Sequence, residues 1–434
     1  MTWSVALAVT MAAAPALAQP AAPPTTALVG GTLMPGDGPS IENATVVIRD
    51  GRVLSVSAGG AVPAGAEEID CRGAVITPGF VGTQVPMGLV EIELEPSTVD
   101  QAPEEEDADP IRASFSVVAG SNPMSTLIPI ARRWGVTSVV STPMGGLVSG
   151  TSGWMNLRGQ NLDQVLVEAR AGLHVDLGDA GVDAGGGARS SALGLLREAF
   201  DDARLYRQRR AQFDRRGLRE MSISRLDLER MGEAIAGDFP VVVRVSRAND
   251  ILRVLAFARE QGVRLVLAGA EEGWMVAAQI AAADVPVILQ PMTNLPAQFS
   301  QLHARYDNAT LLHASGVRIV ITTDGAHGLR NLRQEAGNAI ASGLPVDAAL
   351  RALTVEPARV FGVEDRYGAV APGRVANLVV WTGDPFEVTT WARQVFIRGE
   401  RVPLTTRQSL LFERYRDLES VPRGIRGLPR APSD

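Results

Sequence analysis

The sequence predicts an α/β protein built around a (β/α)8 barrel, with a β-rich segment ahead of it. Two observations carry this. From residue 76 onward, short apolar β-branched runs alternate with helical stretches, the pattern of a parallel sheet covered by helices. Eight such runs occur, at 75–81, 136–142, 154–157, 173–177, 241–245, 265–268, 287–289 and 319–323. A chain of 434 residues has room for one barrel of about 250 residues, with insertions, and a smaller unit.

Taken in order, residues 2–18 form an apolar run ending Ala16-Leu17-Ala18, a small-x-small pattern that predicts a secretory signal cut before Gln19. No basic residue precedes Arg49, so the α-amino group alone supplies the leading charge. The expected location is periplasmic or secreted. A Pro/Ala linker follows at 19–26. Residues 27–70 read as β structure, with strands around Val46-Val47-Ile48 and Val53-Leu54-Ser55-Val56 joined through Asp50-Gly51, a strong hairpin signal. Cys71 is the single cysteine; an intrachain disulfide is excluded, and a small buried residue is expected.

In the barrel segment, helices are expected at 251–260, 274–283 and 332–341. The acidic run 104–109 predicts a solvated loop. The Arg-rich stretch 191–219, interleaved with Glu198, Asp201 and Asp202, predicts a long solvated helix inserted after the fourth strand. Residues 352–362 read as a helix, then β structure to about 401 with a turn at Arg398-Gly399-Glu400, then a helical tail over 404–419.

Net charge is −7 and pI about 5.4, so a nucleic-acid partner is not expected. A membrane partner is not expected after signal cleavage. All 41 basic residues are arginine. Schiff-base chemistry, a P-loop and a carboxylated-lysine metal bridge each need lysine and are excluded. Ser149 and Ser152 lack the G-x-S-x-G elbow of a serine hydrolase. The glycine-rich stretch 145–150 follows the second strand; its amides are candidates to hold a substrate oxygen, against a plain loop. Glu91, Glu93 and Glu95 alternate, and an extended run would give them one acidic face.

Three stretches carry a family resemblance. The first is ITPGFVGTQVP at 76–86, with the IDCRG lead at 69–73. The second is TDGAHGLRNL at 323–332 with Glu335-Ala336-Gly337. The third is ALTVEPARVFG at 352–362, followed by YGAVAPGRVANLVVW and Gly383-Asp384-Pro385. Together they resemble the amidohydrolase superfamily, and within it the imidazolonepropionase-related enzymes. The resemblance spans roughly 27–405. It implies a small β-sandwich built from both chain ends (27–75 and 362–405) around a barrel at 76–361, with a tail at 406–434. It also implies hydrolysis of a non-peptide or peptide-like C–N bond of a small molecule at the C-terminal ends of the barrel strands.

The resemblance further implies a metal held by histidines, and here the residues depart from it. The first-strand histidine pair reads Gln84 and Pro86, the fifth-strand histidine aligns with Arg244, and the sixth-strand histidine with Gly269. The proton-handling aspartate of the last strand is retained as Asp324. Gln is a poor ligand for zinc-type metals and Pro has no ligand group. No cofactor is therefore expected; a divalent metal would need Asp324, His174 and His327. The chain has four histidines. His303 and His313 read as surface or satisfied polar residues. His174 and Asp176 share one face of the fourth strand. His327 lies just past Asp324. The candidate site is thus Asp324, His327, Arg244, Gln84 and His174, with Arg244 expected to form a salt bridge to Asp324 in place of the metal. Two functions stay open: a hydrolase with an atypical site, and a metal-free barrel that binds a ligand or partner.

Overall fold

The computed structural model describes residues 25–103 and 109–416. The proposed signal peptide and residues 104–108 of the acidic run lie outside the described residues. Two eight-stranded sheets organise the chain. The first joins β1 (Thr25–Leu33), β2 (Ile41–Arg49), β3 (Arg52–Ala58), β4 (Glu67–Asp70) and β5 (Val75–Pro78) from the start of the chain to β14 (Leu378–Trp381), β15 (Ala392–Ile397) and β16 (Glu400–Arg401) from its end. The strand order is β16-β15-β14-β5-β1-β2-β3, with β4 on the flank of β1. Its inward side chains, among them Leu28, Val46, Ile48, Ile76, Leu378 and Phe396, form one core. Cys71 is buried in it, as expected. Asp50 and Gly51 both have positive φ (52° and 73°), which gives the tight β2–β3 hairpin the handedness the strands require.

The second sheet is the barrel, in the order β6-β7-β8-β9-β10-β11-β12-β13. Its strands are β6 (Phe80–Val85), β7 (Val136–Ser141), β8 (Val148–Asn156), β9 (Leu166–Asp176), β10 (Val241–Val245), β11 (Leu265–Gly269), β12 (Val287–Leu289) and β13 (Ile319–Ile321). The ring is nearly closed, and the Thr322 hydroxyl donates to the Thr83 carbonyl across the seam. Seven strands run the same way. β8 is antiparallel to both β7 and β9. The connection from Ser141 to Val148 is too short for a crossover helix, so the chain can only turn back.

Two expected elements divide. The run 75–81 is not one strand: β5 pairs in the first sheet, and β6 begins the barrel after Gly79. A Cβ at Gly79 would overlap the Thr137 side chain, so the chain can pass between the sheets there only as glycine. The run 352–362 breaks at Thr354 into helices Val346–Leu353 and Val355–Val360. The Arg-rich helix Arg189–Gln208 is not solvated all round. Ala192, Leu196, Ala199, Phe200, Ala203 and Tyr206 are buried along one face, which packs on helix Arg225–Ala236. Asp202 is buried on that face as well, where it accepts from Arg219 and from the Ser222 amide (2.7 Å), while Glu198 and Asp201 are exposed.

The lumen is filled by Val81, Val140, Trp154, Val242, Val266, Ala268, Ile288 and Val320. Ala358, Val360, Phe361 and Tyr367 close the end where the parallel strands begin. Asn156 binds the Tyr367 hydroxyl there (3.0 Å). The other end is open.

Candidate functional site at the barrel mouth

Strand alternation assigns the inward residues. Val242 lies in the lumen, so Arg244 beyond it rises toward the open end. His174 and Asp176 on β9 stand in register with Val242 and Arg244 and share that face. A cavity of about 590 Å³ opens at the C-terminal strand ends. Its wall includes Gln84 on β6 and Pro86 just after it, Arg244 on β10, Gly269 and Glu271 on and after β11, Gln290 after β12, and Thr322, Thr323, Asp324 and His327 after β13. Gln101, Gln301 and Glu93 complete it from the loops.

Of the expected site residues, Gln84, Arg244, Asp324 and His327 meet at this cavity and His174 does not. His174 lies in the packed lumen, 4% exposed, with no hydrogen-bond partner for Nε2 among the described residues. Burial lowers its pKa from 6.5 to about 3, so it is neutral at physiological pH and out of reach of a ligand in the mouth.

The expected Arg244–Asp324 salt bridge is absent. Both side chains are exposed on the cavity wall, and neither has an ion-pair partner within 4.0 Å among the described residues. β11 and β12 stand between their strands, whereas β9 lies beside β10, so the arginine is in register with Asp176 instead. Burial pushes the Asp176 carboxyl above its usual range, partly offset by the Gly178 N–H (2.7 Å) and the charge of Arg244. Because Asp324 is exposed, water satisfies it and no internal cation is required.

Gln84 sits at φ 55°, unusual for a residue with a side chain, where the β6–β7 register shifts. The resulting bulge turns Gln84 to the cavity. His327 donates from Nε2 to the Glu91 carbonyl (3.2 Å). The three alternating glutamates do not form one acidic face, because 91–98 is turns and a short 3-10 helix, not a strand. Glu91 accepts from the Thr126 amide and hydroxyl, Glu95 accepts from Ser97, and only Glu93 reaches the cavity. The amides of Leu147 and Val148 both donate to the Pro110 carbonyl, so this part of the glycine-rich stretch is not free to hold a substrate oxygen. His303 is held by Glu272 (Nδ1 to Oε1, 3.0 Å), and His313 is exposed, both as expected of structural histidines.

Glu271 is the main residue that sequence reasoning passed over. It is 7% exposed, yet lies on the cavity wall. Its Oε1 accepts from Gln301 Nε2 (3.2 Å), and its Oε2 has no partner among the described residues. The carboxylate lies over Gly269, with Oε2 3.1 Å from where a Cβ would stand, and Gly269 has φ 83°. The acidic pair Glu271-Glu272 just past a barrel strand was the available signal, since that is where such barrels place their chemistry. Behind the wall, Glu335 accepts from the Met292 amide (2.8 Å) and from Gln290 (3.0 Å). Burial raises its carboxyl above the usual range; those two bonds oppose the shift, and Asp324 adds to it.

Among the described residues no three His, Cys, Asp or Glu side chains converge as a metal-ligand group. The mouth has one histidine, already turned to Glu91, and at the positions of the expected histidines it has Gln84, Pro86, Arg244 and Gly269. This donor set does not fit a histidine-held zinc-type ion. A larger groove, about 1310 Å³, runs along the closed end of the barrel beside the first sheet. The Arg158–Glu400 ion pair lies on its wall, and it faces away from the C-terminal strand ends.

A sequence profile described as "Amidohydrolase family" matches residues 224–402. A solved amidohydrolase from Thermotoga maritima MSB8 is 25% identical, with a TM-score of 0.79 over 87% of this chain and 99% of that one. Molinate hydrolase (17% identical, TM-score 0.55, 95% and 99% covered) and phenylurea hydrolase B (18%, 0.54, 88% and 97%) share the fold. A stretch of 65 residues is 40% identical to Amidohydrolase tasK of Hapsidospora irregularis; it covers 15% of this chain but only 7% of that much longer relative.

Proposed function

The chain belongs to the amidohydrolase superfamily, and from that premise we propose that its barrel mouth binds a small polar amide without the histidine-held metal that the superfamily resemblance implies. A hydrolase family is the setting; the C–N bond class and the loss of the metal are our reading. One observation carries it: the positions expected to hold metal-binding histidines are Gln84, Pro86, Arg244 and Gly269 around one cavity. What this chain offers instead is a solvent-facing carboxylate, Asp324, able to take a proton from water, and a fixed cation, Arg244, able to hold an electron-rich oxygen of the ligand. Amide side chains at Gln84, Gln101, Gln290 and Gln301 can read the polar edges of a bound amide.

Elemental analysis of protein purified without chelators tests this first. The expected content is well below one equivalent of zinc, iron or manganese per chain; about one equivalent, lost together with activity on dialysis against a chelator, would overturn it. Any turnover of acyl or cyclic amides should survive chelators and fall about 100-fold or more in Asp324→Asn. We also propose export to the periplasm or beyond. Protein recovered from that compartment should begin at Gln19 by N-terminal sequencing, and intact Met1 on cytosolic protein would contradict it.

A further inference from the structure

Among the described residues, the mouth holds a buried carboxylate oxygen without a partner on a wall that also carries an unpaired cation. Glu271 Oε2 has no donor among the described residues, although the residue is more than nine-tenths buried. Gln301 holds the other oxygen and so fixes the plane of the group. A Cβ at 269 would crowd it, 3.1 Å from Oε2, and the φ of 83° there favours glycine. A buried charged acceptor left unpaired is costly, and the cavity is the side from which a donor can arrive. Gln84 Nε2 is likewise buried and unpartnered among the described residues on the same wall, held there by a backbone conformation that disfavours side chains. Arg244 is exposed to the cavity; the acid beside it, Asp176, is bound to the Gly178 amide. The remaining charges on the wall are Asp324 and Glu93, together with His327, which is tied to the Glu91 carbonyl.

We propose that Glu271 and Arg244 are the two poles of a zwitterion subsite. A protonated nitrogen of the ligand donates to Glu271 Oε2, an anionic group lies against Arg244, and an oxygen between them accepts from Gln84 Nε2. The volume of about 590 Å³ suits a molecule of dipeptide size. This rests on the amide-binding reading above and narrows it to amides that carry both charges.

Glycylglycine and leucylglycine, each also as its N-acetyl and its C-amide form, are the probes, and isothermal titration of the full chain is the readout. The free dipeptides should bind, and each blocked form should bind about tenfold more weakly or worse. In Glu271→Gln the penalty for N-acetylation should vanish, and in Arg244→Gln the penalty for C-amidation. Free and blocked forms binding alike, or none of them binding, overturns the subsite. The comparison of probes on the unaltered protein stands even where a variant fails to fold. Metal content measured on the same sample separates the two readings. Metal with charge discrimination sinks only the metal-free reading, and a metal-free mouth without discrimination sinks only the subsite.

Discussion

His174 shows how one residue's surroundings decide its role. Buried in the lumen, it is neutral down to pH about 3, while in the unfolded chain it takes up a proton near pH 6.5. The folded state therefore binds fewer protons between those values, so its stability rises with pH across the window and is lost as pH falls from 6.5 toward 3. Removing the titration with His174→Gln should lessen that slope by at most about 1.4 kcal/mol per pH unit, measured by urea unfolding at a series of pH values. An unchanged slope would mean that His174 is hydrated. Gln84 makes the opposite trade. Gln84→Gly should relieve about 1 kcal/mol of left-handed backbone strain and raise the melting temperature while weakening ligand binding. Asp324 and Gln84 were legible in the sequence because each sits at a strand end that a motif marks. Glu271 was not, because its significance lies in which oxygen burial leaves bare.

At the scale of elements, the position of a strand follows from composition, while its length, direction and face do not: β8 and β9 outrun the apolar runs at 154–157 and 173–177. β10 and β12 match the apolar runs residue for residue, and helix Leu332–Ala341 matches its periodic stretch. The reversal of β8 depends on a short link and on which neighbour the strand meets, neither of which a run of apolar residues encodes. The Pro78-Gly79 frame is a junction between two sheets. Gly79→Ala would press a methyl group into Thr137 and should cost about 1–3 kcal/mol by overpacking, read as a lower denaturation midpoint with unchanged m-value.

Across the whole molecule, the barrel and the first sheet are tied by buried polar groups that no local pattern announces. Arg333, 2% exposed, reaches from helix Leu332–Ala341 to the carbonyls of Pro385, Glu387, Val388 and Thr390, and its guanidinium lies over Trp134 and Trp381. Arg333→Met keeps much of the volume but strips four carbonyls of their donor. It should cost about 3–5 kcal/mol in chemical denaturation. A loss below about 1 kcal/mol would show that water replaces the guanidinium. Asn377 does the same work elsewhere, donating to Ser138 and Asn156 of the barrel and accepting from the Arg398 amide of the first sheet.

The sequence by itself determined the alternation that makes a barrel, the Asp50-Gly51 hairpin and the presence of Gln84, Arg244, Asp324 and His327 at the mouth. These are local matters of periodicity, turn geometry and strand ends. The tertiary structure alone decided that His174 faces the lumen, that Arg244 stands beside Asp176 and apart from Asp324, that β8 runs backward, and that one oxygen of Glu271 is left bare. A period of two pairs residues on a face without saying which face is inside. Which charges meet is set by the register between strands distant in sequence, and only the assembled barrel supplies it.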